Sequence, residues 1–111
     1  IKRDFDEAFK KVDIIATPVS PTTAFRIGEK TADALTMYLS DVCTISANLA
    51  GLPGISIPCG FDNNSLPIGI QFLSKPLDEA VILNAGYTLE QNTDYHKQIP
   101  PIVRNNMREG A

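Results

Sequence analysis

Asn48-Leu49-Ala50-Gly51-Leu52-Pro53-Gly54-Ile55-Ser56-Ile57-Pro58-Cys59-Gly60, continued by Leu66-Pro67-Ile68-Gly69-Ile70-Gln71-Phe72-Leu73, is the stretch on which the fold turns. Its first residues close a helix, with Gly51 placed to cap the C-terminus and Pro53 stopping any continuation. Ile55-Ser56-Ile57 then alternates as a strand does, before Pro58. Gly60 to Pro67 carries Asp62-Asn63-Asn64-Ser65 at its tip, which is turn chemistry, so 55–58 and 68–73 are expected to pair as an antiparallel hairpin. Gly51-Leu52-Pro53-Gly54 is a tight helix-to-strand turn. It is no phosphate cradle, because Pro53 removes a donor and a phosphate loop runs from strand to helix.

Working outward toward the N-terminus, Leu35, Leu39, Val42, Cys43, Ser46 and Leu49 fall near one face at helical spacing, which predicts a single, largely buried helix over 34–50. Pro18 to about Asp33 has no sustained period and contains Pro18, Pro21 and Gly28, a long surface connection. Asp13-Ile14-Ile15-Ala16-Thr17 is apolar without alternation and fits a strand buried on both faces. Phe5, Ala8, Phe9 and Val12 at i, i+3, i+4 and i+7 make residues 1–12 an amphipathic helix. Toward the C-terminus, Lys75-Pro76-Leu77-Asp78-Glu79 supplies a Pro and two early acids that open a helix over 78–92. The reading is an α/β fold: a short mixed sheet containing the 55–58/68–73 hairpin, covered by helices. The tail, 100–111, has little to bury and is expected to fray.

The composition narrows what such a fold can do. The 111 residues are 43% hydrophobic and 21% charged, a globular composition of about one domain. The net charge is −3 and the basic residues are scattered, so a nucleic-acid or anionic-membrane surface is not expected. Apolar runs such as Ala80-Val81-Ile82-Leu83 fall far short of the roughly 18 residues that span a bilayer. Cys43 and Cys59 are too few for a disulfide framework and read as small buried hydrophobes in a reducing compartment. His96 is the only histidine, which excludes a His-rich metal site, and its polar neighbours mark it as a solvated loop residue. No G-x-S-x-G, Walker-type or G-x-G-x-x-G motif occurs, so self-contained catalysis is not expected. Asp41 is the charged residue that the pattern leaves unexplained: it lies within Met37-Tyr38-Leu39-Ser40-Asp41-Val42-Cys43, and a buried carboxylate costs several kcal/mol unless paired. Either it occupies an exposed stripe, or bonds a backbone N–H, or it serves a site.

The block 48–60 with the strand 66–73 resembles the C-terminal portion of the amidase signature family, and Asp13-Ile14-Ile15-Ala16-Thr17-Pro18 resembles the strand that precedes these elements there. Pro21-Thr22-Thr23-Ala24-Phe25, Met37-Tyr38 and Lys75-Pro76-Leu77-Asp78-Glu79 narrow the resemblance to the branch whose members hydrolyse glutamine for a tRNA-dependent amidotransferase. It extends over about residues 4–92, which makes 1–99 the C-terminal part of an incomplete amidase domain and 100–111 a polar tail. The chain begins Ile1-Lys2-Arg3-Asp4, without an initiator Met or an apolar leader, and is expected to be a piece of a longer protein.

The resemblance implies acyl-enzyme amide hydrolysis by a serine nucleophile, a second serine in a cis peptide and a lysine. No residue of this chain matches any of the three: there is no Gly-Gly-Ser-Ser-Gly-Gly-Ser run, and Lys2, Lys10, Lys11, Lys30, Lys75 and Lys97 lack the motif of the catalytic lysine. No catalytic or metal-binding residue is therefore assigned. The arginine that clasps the glutamine carboxylate in the family also has no counterpart. One binding residue does carry over, Asp41, which matches the aspartate that holds the α-ammonium of the donor glutamine. The segment itself is implied to need no cofactor, ATP and Mg being used in a partner subunit, and its partners would be glutamine and the other amidotransferase subunits. The compartment implied is cytoplasmic, or organellar in a eukaryote. Two other readings stay open: a fragment of another amidase-signature hydrolase of small amides, and a non-enzymatic α/β interaction domain. Strands cut from a larger sheet would leave unpaired edges, through which an isolated segment would self-associate.

Overall fold

The computed structural model describes residues 1–29 and 33–109; residues 30–32, Lys30 among them, and the tail residues Gly110 and Ala111 lie outside the described residues. Two helices and a strand open the chain, α1 over Lys2–Ala8, β1 over Ile15–Pro18 and α2 over Ala34–Leu39. They are followed by α3 over Ile45–Ala50, β2 over Gly54–Phe61, β3 over Pro67–Leu73, α4 over Glu79–Gln91 and α5 over Pro101–Glu109. A single 3-10 turn, Tyr95–Lys97, separates α4 from α5.

β2 and β3 form the expected hairpin, with Ile55 opposite Phe72 and Ile57 opposite Ile70. Its tip is tied by Asp62, whose carboxylate accepts from the backbone N–H of Asn64 at 2.8 Å and of Leu66 at 2.9 Å. Pro58 has no N–H to give the ladder, and the register slips next to it, between Pro58 and Gly60, as a bulge. The order of the sheet is β1-β3-β2. All its pairings are antiparallel instead of mixed, because a five-residue loop can only return β3 beside β2 in the opposite sense, and β3 then occupies the place between β1 and β2. β1 and β2 do run in the same direction, joined by a helical crossover, but they never touch: the unit is a split β-α-β. β1 is accordingly an edge strand in which burial alternates, and Ala16 and Pro18 are exposed, so the expected burial on both faces is not found. The outer edges of β1 and β2 carry no ladder partner among the described residues.

The expected helix over 34–50 is broken. α2 is capped by Asp33, whose carboxylate accepts from the Leu35 N–H at 3.0 Å and from the Thr36 hydroxyl. From Ser40 onward the backbone tightens to three-residue bonds: Ser40 to Met37, Asp41 to Tyr38 and Val42 to Leu39. The hydroxyls of Ser40 and Thr44 donate to the Met37 and Asp41 carbonyls, the competition with helical bonding that such side chains bring. α3 then starts afresh and ends as predicted at Gly51, at φ +69°, in the paired bonds Leu52 N–H to Ala47 O and Gly51 N–H to Asn48 O of a left-handed cap.

The two faces of the sheet are packed differently. Strand alternation puts Ile55, Ile57, Ile70 and Phe72 on one face, and α4 lies there. Gly86 of α4 is buried where the helix crosses Ile57, itself only 3% exposed, and a methyl group at Gly86 would overlap Ile57 Cδ1 and approach Ile55 Cδ1 to 3.4 Å. The buried apolar side chains are few, namely Ala47, Ala50, Ile57, Leu73 and Ile82, while Leu35, Tyr38, Leu39, Val42 and Leu49 are exposed. The radius of gyration, 16.7 Å, exceeds the about 13 Å of a compact domain of this length. His96 sits in the 3-10 turn, half-buried, with Nδ1 shielded and unpartnered, and so is not the solvated loop residue expected. The tail expected to fray forms α5, with residues 101–108 exposed, Ile102, Val103 and Met107 among them.

The contact at Gly86 sets two effects against each other. Gly86→Ala gains up to about 1 kcal/mol of helix propensity, but forcing a methyl into a filled site costs about 1–3 kcal/mol, so a net loss of stability is expected. Thermal unfolding of the intact protein checks it: the Gly86→Ala penalty should shrink in an Ile57→Val background, which removes the overlapping Cδ1.

Candidate functional site

The second face of the sheet carries Thr17, Gln71 and Ser56, which stand opposite one another across β1, β3 and β2 and therefore project to the same side. Ser56 is exposed and Thr17 half-buried, but Gln71 is buried and its amide must find partners. Gln71 is 7% exposed, and its Nε2 donates to Thr17 Oγ1 and to the Cys43 carbonyl, both at 3.0 Å. The second bond pins the α2–α3 linker to the central strand. It lands where the helical ladder is already interrupted, on the carbonyl that follows the tightened turns at Ser40–Val42.

Asp41 lies in this linker, two residues before the pinned carbonyl, and not within a helix. Its main-chain carbonyl accepts from Thr44 Oγ1 at 3.2 Å and from the Thr44 N–H at 3.0 Å. Its carboxylate is exposed and makes no hydrogen bond or ion pair among the described residues. The dilemma posed by the sequence is thus resolved without burial: the charge is held at the surface by an ordered backbone, beside the exposed apolar side chains of Tyr38, Leu39 and Val42.

The same face bears a cleft between residues 18–24 and the strand ends, lined among others by Val19, Ser20, Thr22, Ser56 and Gly69. Its wall is held by Thr23, whose hydroxyl donates to Asp62 Oδ2 at 2.7 Å. That bond, with the Leu66 and Asn64 N–H groups, holds the Asp62 carboxyl below its ordinary value. Cys43 and Cys59 are half-buried free thiols. Among the described residues no three His, Cys, Asp or Glu are grouped to hold a metal, and no helix is long and apolar enough to cross a membrane.

The sequence model described as Amidase matches residues 1–83. The chain belongs to the Amidase family. Curated relatives include the A subunit of glutamyl-tRNA(Gln) amidotransferase from Rippkaea orientalis, 61% identical over 92% of this chain and 21% of its own length. The protein of the same name from Moorella thermoacetica is 55% identical over the same shares. The chain thus spans about a fifth of the length of these relatives. Among solved structures, the protein of that name from Thermotoga maritima is 53% identical with a TM-score of 0.63, covering 67% of this chain and 16% of that one. The 6-aminohexanoate cyclic dimer hydrolase, 22% identical, superposes with a TM-score of 0.77 over 93% of this chain and 23% of its own, a likeness of fold. The small sheet and its helices are therefore part of an amidase-signature architecture.

Reading the residues alone overlooked Gln71. The signal was available, since period-2 alternation in Gly69-Ile70-Gln71-Phe72-Leu73 sets an amide between Gly69 and Leu73 on a single face of a central strand.

The lowered Asp62 carboxyl gives a pH signature. A carboxyl whose folded value lies below its unfolded one adds stability above the ordinary value near 3.8, and that stability disappears as pH falls through the folded value. Asp62→Asn is expected to lower the unfolding midpoint at neutral pH, with the gap to the unmutated protein closing below about pH 3.8. Melting both proteins across that range checks it; a gap independent of pH would remove the charge from the explanation.

Proposed function

We propose that this segment is the C-terminal part of the glutamine-hydrolysing A subunit of a glutamyl-tRNA(Gln) amidotransferase, and that its share of the work is to present Asp41 to the α-ammonium of the donor glutamine. The observation that carries the proposal is the placement of Asp41: an unpaired carboxylate on a linker whose backbone is bonded to both the sheet and α3. Identities of 55–61% to curated proteins of that name support the choice of branch.

The chemistry follows from the pairing of charges. A carboxylate facing an ammonium in a partly dry pocket makes a charge-assisted contact of about 1.5–3 kcal/mol, and it distinguishes an amino acid from a plain amide. The nucleophile, its activating base and the oxyanion donors would come from the remaining four fifths of the protein, as would the covering for Leu35, Tyr38, Leu39 and Val42. Ammonia released from glutamine would pass to a partner subunit that uses ATP and Mg to amidate glutamyl-tRNA(Gln), in the cytoplasm or a eukaryotic organelle. The 111 residues by themselves supply recognition and scaffold.

In the intact enzyme, Asp41→Asn keeps the size of the side chain and removes its charge. The expected loss is about 2–4 kcal/mol in kcat/KM for glutamine, by analogy with truncating one member of a desolvated charge pair. An amide donor without an α-ammonium, or free ammonia supplied to the transfer reaction, should be affected much less. Steady-state kinetics with the three donors checks this: equal losses for all would make Asp41 structural, and undiminished glutamine use would return it to the surface.

A further inference from the structure

We propose that Gln71 is a positioning residue for the donor site: its side-chain amide fixes the backbone of the Asp41 linker, and it thereby sets glutamine affinity without touching glutamine. The inference rests on the reading of Asp41 given above. Its grounds are three features of the second sheet face.

Gln71 stands on β3, the one strand bonded on both edges, so its backbone is the most constrained in the sheet. An amide NH2 has two donors, and both are used, one on Thr17 Oγ1 and one on the Cys43 carbonyl, each at 3.0 Å. The plane of the amide is fixed by two acceptors that lie 54 and 28 residues away in sequence. From the pinned carbonyl the chain reaches Asp41 in two residues, and the Thr44 hydroxyl and N–H close the turn on the Asp41 carbonyl. Because the Asp41 carboxylate has no side-chain partner among the described residues, its place is set by this backbone alone.

Freed from Gln71, the linker would have to be ordered by the substrate, and that cost falls on binding. The serine chemistry, carried by other residues, would proceed unchanged once glutamine is seated. A residue that only held the fold together would instead lower the amount of active enzyme or its turnover.

The test uses the intact amidotransferase complex and four variants of the glutamine-hydrolysing protein: Gln71→Met, Gln71→Asn, Asp41→Asn and the double variant of Gln71→Met with Asp41→Asn. Methionine keeps the volume without the donors, and asparagine keeps the amide but is one methylene too short to reach both acceptors. The expected result for Gln71→Met is a KM for glutamine raised about tenfold, the scale of one lost hydrogen bond to an ordered site, with kcat and the ammonia-dependent reaction held. Gln71→Asn should shift KM in the same direction by less, and it carries the comparison if the methionine variant does not fold. In the double variant the Gln71 effect should vanish, because the carboxylate it positions has lost its charge. A selective loss in Asp41→Asn with no KM change in either Gln71 variant would overturn the positioning role and leave Asp41 in place. A fall in kcat, or in ammonia use, equal to that for glutamine would make Gln71 structural. If Asp41→Asn leaves glutamine use intact, the reading of Asp41 fails and the positioning role falls with it.

Discussion

A buried side-chain amide has to bond both its hydrogens or lose about 1–3 kcal/mol for each one left unpaired, and Gln71 meets that requirement in a way that shapes everything around it. Its two acceptors belong to β1 and to the α2–α3 linker, so a single side chain closes the split β-α-β unit: first strand, crossover and inserted central strand. The same bond ties down the segment in which the helix is interrupted. The hydroxyls of Ser40 and Thr44 add bonds to the Met37 and Asp41 carbonyls, which also accept backbone N–H groups there, and so reinforce the tightened turns.

The opposite face of the sheet shows the contrasting solution. There the contact is apolar and tight, with Gly86 letting α4 approach Ile57, and it fixes the hairpin without contributing polar chemistry. The division is architectural, and the proposed function lies on one side of it. One face of the hairpin is a rigid support; the other holds the cleft at residues 18–24 and the linker that displays Asp41. Leu35, Tyr38 and Leu39 of α2 and Val42 of the linker are exposed, and the covering of these side chains is part of the proposal that the segment belongs to a longer A subunit.

Most of the hairpin and of α4 could be read from the residues, because each depends on local information: alternation in Ile55-Ser56-Ile57, turn formers at 62–65, Pro76 and Asp78 ahead of a periodic apolar run. Gly51 as a cap was legible for the same reason. The interruption between α2 and α3 was not, since Leu35, Leu39, Val42 and Leu49 keep helical spacing straight through it and the segment is held by a side chain 28 residues downstream. The order β1-β3-β2 was hidden likewise: the apolar run at 13–17 suits a central strand as well as an edge one. Asp41 could be singled out from its apolar surroundings and from the family resemblance, but both placed it on a helix. Its actual setting, an ordered turn, depends on tertiary bonding.

A crystal structure of the intact protein with L-glutamine bound would test the account most directly. It should show the Asp41 carboxylate within about 3 Å of the α-ammonium, while Gln71 Nε2 keeps its bonds to Thr17 Oγ1 and the Cys43 carbonyl. A glutamine seated elsewhere, with Asp41 directed to solvent or with Gln71 released from the linker, would contradict it.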